Sequence, residues 1–210
     1  GMNDIVRIKG NFTDVISQLK INDFALGFGE QSFVRGDFEL PDFSDSVTQE
    51  FTQIFSDIYL NLEDLKAINM PDGIDPISID PSIEMNKYIA ITDLTINGSD
   101  QDFDFTFEEF KSDLGVFELP GSMNFLMDST SIKLAPSEGF TSNLLIKDFH
   151  LGRFLSEDLL GYISGSVQPI VEYSNNGDLS FRLNHSNISN VGFNDYNISQ
   201  IDILEGSFKN

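Results

Sequence analysis

The chain of 210 residues contains no cysteine and no tryptophan, and only two histidines. Without cysteine there is no disulfide, no thiol nucleophile and no Cys-ligated zinc or iron–sulfur centre. Such a chain is compatible with an oxidising periplasm. Basic residues are scarce: 12 Lys plus Arg stand against 34 Asp plus Glu, a formal net charge of -22. A field of that sign repels phosphate backbones, which argues against a nucleic-acid partner, and it disfavours anionic lipid headgroups. No apolar run approaches the roughly 20 residues that a membrane-spanning helix needs. The opening Gly1-Met2-Asn3-Asp4 is polar, unlike a signal peptide. Gly1 before Met2 resembles a protease-cleavage scar, so the expectation is an excised segment of a longer protein whose anchor lies elsewhere. Gly27-Phe28-Gly29 is too short to be a nucleotide-binding fingerprint.

What is present is apolar bulk. The hydrophobic fraction is 40%, with 20 Phe residues, enough for a sizeable core. Apolar and polar residues alternate with the two-residue period of half-buried strands, as in Phe103-Asp104-Phe105-Thr106-Phe107 and Leu179-Ser180-Phe181-Arg182-Leu183. Turn signals punctuate them at Asn97-Gly98, Pro71-Asp72-Gly73, Pro120-Gly121 and Asn175-Asn176-Gly177-Asp178, the last being the best hairpin candidate. Helical signals are few. Phe154 to Gly161 reads as two turns, and Ser46 to Ile58 as either one amphipathic helix or a loop running into a strand at Ile58. Asn69 to Pro81 reads as an irregular connector.

One short pattern recurs: apolar-x-apolar-x-acid-apolar. It occurs at Leu19–Phe24, Leu60–Leu65, Ile89–Leu94, Phe105–Phe110 and Leu144–Phe149, with Tyr196–Ile201 a sixth copy carrying Gln200 for the acid. Residues two apart on a strand share a face and residues three apart do not. An extra, bulged residue restores the face and bends the strand, so each copy predicts a bulge or corner beside its polar pair. The alternative is a tight turn between separate short strands. A looser similarity aligns residues 10–29 with 96–115, setting Leu19, Ile21, Phe24 and Gly29 against Phe105, Phe107, Phe110 and Gly115.

Three stretches resemble the TamB family of the AsmA-like superfamily, the translocation and assembly module, in its Bacteroidota form. They are Gly98–Asp128 with Phe107-Glu108-Glu109-Phe110-Lys111-Ser112-Asp113-Leu114-Gly115, Leu144–Gly165 with its short helix, and Gly192–Ile201, where Asn194-Asp195 stands for the family's usual Asn-Gly. The resemblance covers most of residues 10–210. It implies an all-β fold: an elongated, curled antiparallel sheet, β-taco-like and U-shaped with an apolar groove, and few short helices. It implies an internal periplasmic segment of a protein anchored in the inner membrane. Its task would be phospholipid transport to, or protein assembly in, the outer membrane. Its partners would be phospholipid acyl chains or unfolded outer-membrane polypeptide, and a BamA-like barrel protein.

The expected organisation is an N-terminal β segment over 1–68 that can hold a short helix, a connector over 69–81, and a main curled sheet over 82–210, or one continuous domain. The expected groove lining is Leu19, Ile21, Phe24, Leu94, Ile96, Phe103, Phe105, Phe107, Phe125, Leu144, Ile146, Phe149 and Phe181. A closed sandwich core is the alternative use of these stripes. No catalytic or metal site and no cofactor is expected. His150 and His185 lack converging ligands or a paired nucleophile. Asp100, Asp102 and Asp104 alternate along a strand rather than converging as a calcium loop, and Glu108-Glu109 are poorly placed for a two-carboxylate mechanism. The competing reading is an extracellular calcium-stabilised adhesion or glycan-binding β module.

Overall fold

The structure, a computed structural model, describes residues 7–13, 20–39, 50–66, 87–99, 101–137, 143–174, 177–194 and 196–209. Among the described residues the fold is all-β: one antiparallel sheet of 12 strands with two short helices. The strands are β1 (Arg7–Thr13), β2 (Lys20–Phe28), β3 (Ser32–Glu39), β4 (Phe51–Asn61), β5 (Tyr88–Gly98) and β6 (Asp102–Ser112). They continue as β7 (Gly115–Met127), β8 (Ser131–Pro136), β9 (Leu144–His150), β10 (Tyr162–Ser174), β11 (Leu179–Phe193) and β12 (Tyr196–Lys209). Helix α1 (Leu62–Lys66) follows β4 and helix α2 (Leu151–Leu155) follows β9.

The sheet is a meander in which nearly every strand pairs with its neighbours in sequence. The exception lies between β7 and β10. There β8 and β9 occupy one lane in succession: β8 pairs with Met123–Met127 of β7, and β9 with Val116–Glu118. Both also pair with β10. The residues of β7 opposite the break include Pro120 and Gly121. Proline has no N–H to give the ladder, and glycine has no side chain to pack, so a strand is weakest there. The expected turn at Pro120-Gly121 is therefore an irregularity inside a continuous strand, where the register with β6 also slips.

Strand β4 pairs directly with β5, so the sheet continues across the connector between them. Residues 69–81 themselves, with Pro71-Asp72-Gly73, lie outside the described residues. Of the two readings of Ser46–Ile58, the strand holds in the described part, but it begins at Phe51 and not at Ile58, because pairing on both sides outweighs the local helical spacing. The helix expected from Phe154 to Gly161 instead spans Leu151–Leu155. The left-handed Ser156 (φ 56°) ends it, and the His150 ring nitrogen caps its start by accepting the Arg153 amide. The hairpin expected around Gly177 joins β10 to β11, with the Ser174 amide donating to the Asp178 carbonyl.

Both helices sit at the same end of the sheet and hold its hairpin turns. The Asp64 carboxylate of α1 accepts the amides of Glu30, Gln31 and Ser32 at 2.8–2.9 Å and the Ser32 hydroxyl at 2.9 Å. This closes the β2–β3 turn. Beside α2, the His150 amide donates to the Leu114 carbonyl at the β6–β7 turn, and the Asn194 amide at the β11–β12 turn donates to the Leu159 carbonyl.

A candidate apolar docking face

Directly opposite residues on antiparallel neighbours share a face, so the register assigns faces across the whole sheet. Starting from Phe103, opposite Phe125 and Gly98, one face runs through Phe105 and Ile96 and on through Leu94 to Phe55. Phe55 is opposite Gly36, and Gly36 is opposite Phe24. In the other direction Phe125 meets Leu134, Leu134 meets Val171, and Val171 meets Phe181. The paired positions of this face carry no charged residue among the described residues. The opposite face carries Lys20 against Glu39, Arg35 against Asp57, Asp104 against Asn124, and Asn187 against Asp202.

The recurring motif keeps this face apolar while the strands bend. Asp23, Asp93 and Asp148, the acids of three copies, adopt left-handed φ of 53°, 51° and 49°. Aspartate tolerates that conformation better than most residues. The register slips beside Asp23 and Asp148. The bulged amide then finds a short polar acceptor across the lane: that of Asp23 donates to Asp37 Oδ1, and that of Asp148 to Ser164 Oγ, both at 2.9 Å. The result is that residues three apart return to one side. Phe107 and Phe110 have ring centroids 6.5 Å apart, and Phe149 lies 5.2 Å from Phe117, which is opposite Ile146. A run of ring contacts crosses the sheet from Phe107 through Phe110, Phe117 and Phe149 to Phe154.

Other copies differ. In the sixth, no residue is left-handed; Asn190 (φ 54°), in the neighbouring strand, is. The copy at Leu60–Leu65 enters α1, where its acid is the turn-holding Asp64. Burial pushes the Asp64 carboxyl pKa up, but the Glu30 and Gln31 amides and the Ser32 hydroxyl and amide outweigh it and leave the pKa below the ordinary value. Glu108, beside the left-handed Asp93, is shifted up by its hydrogen bond to the Asp93 carboxyl and by that group's charge, with smaller contributions from burial, Glu109 and Glu118.

Of the residues named from the sequence, Leu19 lies outside the described residues. Ile21 is opposite Phe38, whose ring lies 6.4 Å from that of Phe24. Leu144 is opposite Val167, and Ile146 opposite Gly165. The twelve described members of the set thus fall on one face. Ile21 is buried, and Phe181 is 36% exposed. The face is open along one edge of the β7, β8, β10 and β11 lanes, where Met127, Ile132, Tyr173 and Leu179 are opposite one another in succession and are 38–48% exposed.

The acids singled out from sequence lie elsewhere. Asp102 and Asp104 are exposed on the polar face, and both accept hydrogen bonds from Asn124 Nδ2. Asp100 lies outside the described residues. The His150 ring lies 4.4 Å from that of Tyr162, tilted by 42°, and His185 (φ 42°) sits at a register slip between β10 and β11. Sequence reasoning missed the left-handed aspartates, although the fixed place of the acid before the last apolar residue was their signal. Comparison with family models, curated proteins and solved structures finds no match.

Proposed function

We propose that this chain is a non-catalytic, periplasmic segment of an envelope-spanning protein of the TamB type. Its uncharged sheet face offers a path for phospholipid acyl chains, or for unfolded outer-membrane polypeptide, on the way to the outer membrane. The observation that carries this reading is the sidedness of the sheet: across β1 to β12 the paired positions of one face are uncharged, while charges gather on the other. A closed globular core would also be uncharged, but its large side chains would be buried. Here Met127, Ile132, Tyr173 and Leu179 form an exposed apolar row. The resemblance of the three sequence stretches supports the same reading. Each methylene of an acyl chain taken from water onto such a face gains ~0.8 kcal/mol, so a few at each point hold a chain without trapping it.

The test places a photo-crosslinker at Phe105 or Phe107 in the full-length protein in cells. Capture of phospholipid supports a lipid path, capture of outer-membrane polypeptide supports assembly, and capture of intramolecular neighbours alone counts against both. Phe107→Arg puts a charge in the path. It is expected to fold and to fail in supporting outer-membrane integrity; a folded variant with full envelope function would count against transport.

A further inference from the structure

Burial on the apolar face follows a gradient along the strands. The outermost row, from Met127 through Ile132 and Tyr173 to Leu179, is 38–48% exposed. Two residues further in lies the row from Phe125 to Phe181. Deeper still, Leu119, Met123 and Val167 are only 3–5% exposed. These three sit where the strands are irregular. Leu119 and Met123 lie on either side of Pro120-Gly121, where β7 slips against β6, and Val167 lies at the slip of β10 against β11. Rim, wall and floor therefore follow one another along the same strands. Among these described residues the only hydroxyl, amide or charged side-chain group is the Tyr173 hydroxyl, and it is at the rim.

An amphiphile is held best when its tail reaches the place with least water and its headgroup stays in water. On this wall those two places are the two ends of one strand segment. An extended polypeptide would instead bring an N–H and a C=O at every residue, and the wall has no group to receive them. At about 3.4 Å per residue the wall is roughly 14 Å deep from Met127 to Met123 and roughly 20 Å from Tyr173 to Val167. That range includes the ~15 Å depth of one leaflet, half of a ~30 Å bilayer core. We infer that this wall is a ruler for acyl chains. A tail lies along the strands, enters past Ile132 and Tyr173, and ends against Met123 and Val167, so the floor side chains set the longest tail that binds in full. This rests on the lipid-path reading above. A tail lying across the strands would follow the continuous face and meet no such end.

The experiment titrates the purified chain with lysophosphatidylcholines of increasing tail length, each below its micelle concentration. Affinity is read by displacement of a fluorescent fatty acid. Each added methylene should tighten binding up to about fourfold, the scale of moving one CH₂ out of water. The gain should stop at tails about as long as those of a bilayer leaflet, where the tail meets the floor. Met123→Ala lowers the floor and should move that break to longer tails. Ile132→Ala, at the rim, should weaken every member of the series and leave the break in place. Circular dichroism checks that each variant is folded, and the series on the unaltered chain decides the inference if Met123→Ala does not fold. Affinity that rises to the longest tail without levelling, or that levels well short of a leaflet's tail length, overturns the inference. So does a break unmoved in folded Met123→Ala or moved by Ile132→Ala. Binding by no member of the series sinks the lipid path itself.

Discussion

Asp64 and Ser32, 32 residues apart in sequence, are joined twice: Asp64 Oδ2 accepts both the Ser32 amide at 2.8 Å and its hydroxyl at 2.9 Å. The Ser32 hydroxyl in turn accepts the Asn61 amide at 2.9 Å. Removing the carboxylate strands the turn amides, so Asp64→Ala is expected to cost about 2–3 kcal/mol. Gly29 is part of the same device. Its φ is 62°, and a Cβ there would lie 2.3 Å from Asp64 Cγ. Gly29→Ala should therefore cost at least ~1–2 kcal/mol from the left-handed backbone alone. Urea unfolding midpoints measure both, and an unchanged midpoint for Asp64→Ala would refute the turn-holding role.

The left-handed aspartates make a sharper prediction. Asp93 sits at φ 51° and faces Glu108. Asp93→Gly keeps the backbone conformation free of strain and removes a like charge, so it should be neutral or stabilising at pH 7. Asp93→Val puts a β-branched residue where left-handed φ is costly and should lose about 1–2 kcal/mol. Equal destabilisation by the two would show that the side chain, not the left-handed backbone, sets the cost.

Acid titration should separate two kinds of carboxyl. Asp64 and Asp128 have lowered pKa values, that of Asp128 about 2 because Thr130 and Ser131 donate to its carboxylate. The stability they contribute is present above the ordinary carboxyl pKa and is lost as pH falls through the lowered values. Glu108 is raised, so it binds its proton more readily when folded; it opposes folding at neutral pH, and the penalty disappears as pH falls. Glu108→Gln should raise the urea midpoint at pH 7 and give no gain near pH 3. Asp128→Asn should lower it at pH 7 by an amount that shrinks toward pH 2. The opposite pH trend in either variant would reject the assignment.

The exposed apolar row predicts dye binding by the folded chain. Anilinonaphthalene sulfonate should fluoresce at full native signal in circular dichroism. Ile132→Lys and Leu179→Glu should reduce that emission while changing stability by less than about 0.5 kcal/mol, because both side chains are exposed. Large destabilisation by these substitutions would instead place them in a covered core.

The sequence by itself determined the all-β class, because period-two alternation in runs such as Phe103–Phe107 is a local property that pairing only completes. It also determined which side chains share a face, since the spacing of Phe107 and Phe110, or Ile146 and Phe149, requires an irregularity between them. Tertiary structure decided what neighbours alone can decide. Phe51–Ile58 has helical spacing but becomes strand, because β3 and β5 offer ladders on both sides. Pro120-Gly121 has turn chemistry but stays within β7, since β6 pairs on either side of it and β8 and β9 divide the lane beyond. Asp64 reads as one more motif acid, yet its partners lie some 30 residues earlier, and hydrogen bonds of that reach depend on where the sheet brings the β2–β3 turn, not on the residues beside Asp64.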